Sequence, residues 1–77
     1  MIDYMKKKPD HLIWYSKDKK VISCDETNKV LNENYLEMVN IIQSCYDDAI
    51  LMGCGDQDFK DKIMSLTDNL EFSLGKK

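Results

Sequence analysis

Between residues 31 and 52, apolar side chains recur at Leu31, Tyr35, Met38, Ile42, Cys45, Ala49 and Met52, at spacings of 4, 3, 4, 3, 4 and 3. Steps of three and four hold a row of side chains on one side of a helix with 3.6 residues per turn. Val39, Tyr46 and Ile50 widen that row on one flank, while Glu33, Glu37, Asn40, Gln43, Asp47 and Asp48 stay polar. "SCDE" at 23–26 fits a capping box, with Ser23 accepting from the amide of Glu26 and Glu26 reaching back. The pattern predicts a helix over 24–53. "NENYLE" carries a second start signal in Asn34 and Glu37, so the helix either runs unbroken or restarts near 32–34.

"MGCGD" at 52–56 follows the last residue of the stripe. Gly53 stands where a helix ends in a left-handed cap, and Cys54 follows at the position that packs back onto the helix end. Asp56 is a good N-cap for a second helix. Phe59, Ile63, Leu66 and Leu70 then share one face, and Gly75 can end the helix, which is expected over 56–74. The glycine-rich loop reads as a turn between helices.

Before the long helix the period changes. Residues 12–23, "LIWYSKDKKVIS", hold two β-prone runs separated by "KDK", which suits a short hairpin loop. Two strands alone are not stable in water, so this β-hairpin needs support, and Trp14 is the natural anchor. Residues 1–10 are polar, end at Pro9-Asp10 and are expected to fray. The fold expected is mainly α: an antiparallel helical hairpin with a short N-terminal β-hairpin, in a single small domain spanning 1–77.

Length limits how well such a chain closes its own core. A domain of 77 residues buries only about 60–65% of its unfolded surface, and its usual supports are disulfides, a metal or a partner chain. The cysteines, 24, 45 and 54, are odd in number, and the lysine-rich N-terminus has no long apolar run behind it. Reduced thiols in a cytoplasmic protein follow as the expectation. The longest apolar run has four residues, too few to span a membrane.

Charge is uneven: residues 1–24 carry six lysines against three aspartates, and residues 25–77 carry five lysines against eleven acids. The lysine-rich head suggests an accessory nucleic-acid-binding reading, with Trp14 and Tyr15 beside Lys17, Lys19 and Lys20 as a stacking platform. The acidic body repels phosphate, and without arginine there are no bidentate base contacts, so nucleic acid is disfavoured. His11, Cys24 and Cys54 are the candidate thiol or zinc ligands. Their spacing lacks the short ligand pairs of structural zinc sites, and no metal or cofactor is expected. Cys45, on the stripe, reads as a small core residue. Asp56, Asp58 and Asp61 lack the glycine and glutamate of a calcium loop, and no phosphate-binding loop or catalytic triad appears.

"ISCDETNKVLNEN" (22–34) and "DDAILMGC" (47–54) resemble segments of a group of short proteobacterial proteins with no assigned activity, over roughly residues 20–70. Thr27-Asn28 departs from that pattern. The resemblance implies a small, mainly helical cytosolic bacterial protein and transfers no site residue.

Leu36, Val39, Ile41, Tyr46, Ile50, Met64 and Phe72 exceed what one helical hairpin needs to close its core. They mark the expected interaction surface of a non-enzymatic interaction or adaptor module. Two copies would make a dimeric four-helix arrangement, and an unrelated protein partner is the alternative occupant.

Overall fold

A computed structural model describes residues 12–74, and within them the protein is mainly helical. Helix α1 spans Asp25–Leu51 and helix α2 spans Asp56–Asp68. The expected fraying segment, His11 and Gly75 lie outside the described residues. The chain divides into two compact units, Met1–Ile42 and Gln43–Lys77, and α1 supplies its first turns to one and its last turns to the other.

In the first unit, α1 starts one residue later than the capping box implied. Cys24 is the residue before the helix, and its carbonyl accepts the amide of Asn28 (2.9 Å). Cys24, and not Ser23, therefore stands at the position before the first helical residue, and its thiol is lowered by Thr27 and Glu26. Asp25 and Glu26 then place two carboxylates in the first turn, where the helix dipole favours them. From there α1 runs through Asn32–Asn34 without a break.

The β-hairpin expected over 12–23 is not formed. No strand occurs among the described residues, and a single antiparallel bridge joins Tyr15 to Val21. "KDK" closes a tight turn: the Lys19 amide donates to Ser16 O (2.8 Å) and the Ser16 amide donates to Lys20 O (2.8 Å). Lys19 takes the left-handed conformation, φ +68°, that a three-residue loop of this kind requires. The last backbone bond of this pairing is from the Ile22 amide to Trp14 O, and the Ile22 carbonyl is taken by Asn28 Nδ2 of α1. β-propensity measures fit to a half-buried surface, and here a helix, not a sheet, supplies that surface.

In the second unit, the last turns of α1 and α2 stand in a hairpin-like arrangement. α1 ends in a Schellman motif: the Cys54 amide donates to Ala49 O (2.8 Å) and the Gly53 amide to Ile50 O (3.1 Å). Gly53 has φ +96°, the conformation a Cβ disfavours. The N-cap of α2 is Gly55, extended at φ −72° and ψ 142°, so Asp56 is the first helical residue and not the cap. α2 stops at Asp68, short of the expected 74. Asn69 donates its amide back to the last turn, and no basic side chain sits there to offset the dipole.

Little of either unit is buried. Among the described residues Leu12, 6% exposed, is the one buried apolar side chain. The half-buried row on α1 is Asn28, Leu31, Asn32, Tyr35, Val39, Gln43, Tyr46 and Ala49. It is rotated about one residue from the expected stripe, so Met38, Ile42 and Cys45 remain exposed, which corrects the core role given to Cys45.

Candidate interaction site

Within the first unit the segment before α1 is held by two asparagines. The indole Nε1 of Trp14 donates to Asn32 Oδ1 (2.8 Å), and Asn28 Nδ2 donates to the carbonyl of Ile22 (2.8 Å). The Trp14 ring stands edge-on to Tyr35 with centroids 6.3 Å apart. Trp14, Ile22, Asn28 and Asn32, with Leu12, Ile13, Val21 and Asp25, frame a cleft of about 290 Å³. Asn28 and Asn32 lie one helical turn apart in line with Tyr35 and Val39. Polar residues continuing an apolar row were the signal that could have found them.

Within the second unit the anchor is aromatic and ionic. Tyr46 and Phe59 meet edge-on at 5.4 Å. The Tyr46 hydroxyl donates to Asp56 Oδ1 (2.6 Å), Lys60 Nζ lies 3.0 Å from the same oxygen, and Lys60 also sits 5.8 Å from the Tyr46 ring centroid. The hydrogen bond to Asp56 holds the Tyr46 phenol above its usual range. Tyr46, then Lys60, hold the Asp56 carboxyl below its own range, and Asp56 raises Lys60. Each shift moves the group's titration further from neutral pH, favouring a fixed phenol–carboxylate–ammonium set over proton transfer at neutral pH.

The thiols occupy separate places. The half-buried Cys54 places its Sγ 3.5 Å from Gly55 O and 3.9 Å from Asp58 Oδ2, beside the first turn of α2. Asp58 is held low mainly by Lys62, 2.8 Å away, with Cys54 a lesser cause. Cys24 is exposed, and its thiol is lowered by the Thr27 side chain and then by the Thr27 and Glu26 amides. Its position at the start of a helix is the setting in which a thiolate forms most readily. Cys24 belongs to the first unit and Cys54 to the second, and His11 lies outside the described residues. Among the described residues no cluster of three metal-ligating side chains occurs.

The expected interaction residues fall into two groups. Val39 and Tyr46 belong to the half-buried row of α1. Leu36, Ile41, Ile50, Met64 and Phe72 are exposed, with Phe72 beyond the end of α2. Leu51, Met52, Leu66, Leu70 and Leu74 are exposed as well, and a shallow depression of about 430 Å³ lies between Tyr46, Asp47, Ile50 and Leu51. No described helix is long and apolar enough to cross a membrane. Comparisons with family models, with curated proteins and with solved structures find no match.

Proposed function

We propose that this chain is a small cytoplasmic, non-enzymatic protein-interaction module of the bacterial type it resembles. It associates through its apolar helix faces and forms a homodimer with a four-helix arrangement. One observation carries the reading: a single apolar side chain is buried among the described residues, while both helices leave large apolar residues in solvent. Soluble monomers seldom tolerate such patches, and each large side chain that becomes fully buried contributes about 1.5–3 kcal/mol. Several such side chains offset an association cost of about 4–15 kcal/mol.

Light scattering at micromolar concentration tests it. The expected species is twice the 9.0 kDa chain. Ile41→Asp should return it to the monomer with helicity retained, because Ile41 is 58% exposed and touches no core of its own. A wild-type monomer overturns the dimer. Loss of helicity in the variant places Ile41 in the protomer fold instead.

A thiol-dependent regulator is the second reading, favoured by the exposed, acidified Cys24. It requires that alkylating Cys24 change association. Unchanged scattering by the fully alkylated chain excludes it.

A further inference from the structure

Within the first unit, α1 leaves a strip of apolar side chains uncovered. Val30, Met38, Ile41 and Ile42 are between 40% and 58% exposed, and all four lie on the part of the helix that belongs to that unit. By helical period they share one flank, beside the row through which Asn28, Asn32 and Tyr35 hold the preceding segment. Along the other edge of the strip run Glu26, Glu33 and Glu37, at spacings of 7 and 4 and all exposed. Between Asp25 and Ile42 the helix carries four acids and one lysine. That lysine, Lys29, stands 3.8 Å from Glu33 with both side chains largely in solvent, a pairing that contributes little. Among the described residues Glu26 and Glu37 have no ion pair. One edge of the strip is therefore closed by the chain itself, and the other is a line of carboxylates about 16 Å long.

Apolar area beside a single sign of charge specifies the occupant. We infer that this strip receives a cationic amphipathic helix of another protein, with its apolar side chains on Val30, Met38 and Ile41 and its lysines or arginines on the three glutamates. The inference rests on the association proposed above and names a second partner for the same face. A copy of this chain can cover the strip, but it brings the same carboxylates to the edge, where like charges oppose each other. A cationic helix covers the same apolar area and meets opposite charge, so it displaces the copy. The strip runs along the helix axis for about 18 Å from Val30 to Ile42, the footprint of a helix of about 12 residues lying alongside. The acid line then steers the encounter and selects the sign of the partner, while the apolar strip supplies most of the affinity.

A synthetic helix of about 14 residues, leucines on one face and lysines on the other, tests it. Its controls are a scrambled peptide of the same composition and a twin with glutamate for lysine. Anisotropy of the labelled peptide reads binding to the full chain, and light scattering counts the species. The lysine peptide should convert the dimer to a complex of one chain with one peptide and weaken about tenfold from about 50 to 500 mM salt. Ile41→Ser should weaken it about tenfold through lost burial. Glu33→Lys with Glu37→Lys should reverse the preference, so that the glutamate twin binds more tightly than the lysine peptide. Circular dichroism on each variant checks that the helices persist. Equal binding of the scrambled peptide would mean attraction without a seat and overturns the inference. An unreversed preference in the double variant places the peptide elsewhere and overturns it too. A scattering dimer that ignores the lysine peptide at low salt overturns it while leaving self-association standing. A wild-type monomer that binds the lysine peptide removes the dimer and keeps the cationic partner.

Discussion

In the first unit the chain before α1 is tied down by two helix asparagines, Asn28 donating to Ile22 O and Asn32 accepting from the Trp14 indole, the latter reaching across 18 residues. In the second unit the ties are short-range: a glycine cap, an aromatic pair and an ion set, all between residues 46 and 60. One anchor depends on a few polar groups finding distant partners. The other depends on local backbone geometry that a single glycine permits. The two units should therefore fail under different insults, and the contrast can be broken experimentally.

Trp14→Ala should have the largest effect, about 2 kcal/mol, from losing half the burial of a large ring together with one hydrogen bond. Hydrogen exchange reads it residue by residue. The Ile22 amide, which donates to Trp14 O, should lose about 30-fold in protection, 1.36 kcal/mol being tenfold, while the Cys54 amide keeps its own. Equal loss at both amides would mean that the units do not differ in the way described.

Gly53→Ala should cost about 1 kcal/mol, confined to the second unit. An added Cβ would meet nothing within 4 Å, so the whole cost is backbone conformation, and Gly53→Asn should recover part of it. Unchanged exchange at the Cys54 amide would remove the capping role.

A smaller effect follows from pH. Asp56 is depressed in the folded state, so its contribution is present above the ordinary carboxylate range and fades as pH falls through its lowered value, below about pH 4. Tyr46 and Lys60 are raised, so their contribution is complete below their ordinary ranges and is lost as pH rises through their elevated values, above about pH 10. A pH series of Cys54 amide exchange, corrected for intrinsic rates, should fall at both ends. Asp56→Asn should flatten the acid limb, and an unaltered limb would separate Asp56 from the anchor.

The smallest change is expected at Lys19. Its φ of +68° is costly for a residue with a Cβ, so Lys19→Gly should stabilise the turn by about 0.5 kcal/mol after the extra chain entropy is counted. Raised protection at the Ser16 amide checks it, and lowered protection would show that the lysine side chain matters more than its backbone.

The same contrast explains what the sequence made legible. Gly53 could be read because a left-handed cap is a local property of one residue in a known place, and the structure gives it the expected φ. The existence of α1 and of α2 was legible from period alone, but of the expected α2 face only Phe59 and Ile63 are half-buried, while Leu66 is exposed and Leu70 lies past the helix end. The hairpin was not, since two β-prone runs form strands only where a sheet or hairpin is the surface on offer. Here Asn28, Asn32 and Tyr35 present a helix instead. The one-residue rotation of the covered row escaped for the same reason. Heptad spacing fixes the stripe but not which of two adjacent rows its own chain covers. Cys24, a candidate ligand by sequence, stands at the residue before α1, one position after the serine that the capping box points to. In the candidate interface, Ile41 and Met64 lie open on the helices, while Tyr46 proved to be an internal anchor.

The thermal midpoint of the wild-type chain as a function of its own concentration tests most directly whether the fold is completed by a second copy. A protein that binds itself only when folded gains stability by mass action. Followed by circular dichroism from about 1 to 100 µM, the midpoint should climb steadily with the logarithm of concentration, and Ile41→Asp should abolish the climb. A wild-type midpoint that stays constant over that range would mean the chain folds alone and leaves its apolar helix faces bare.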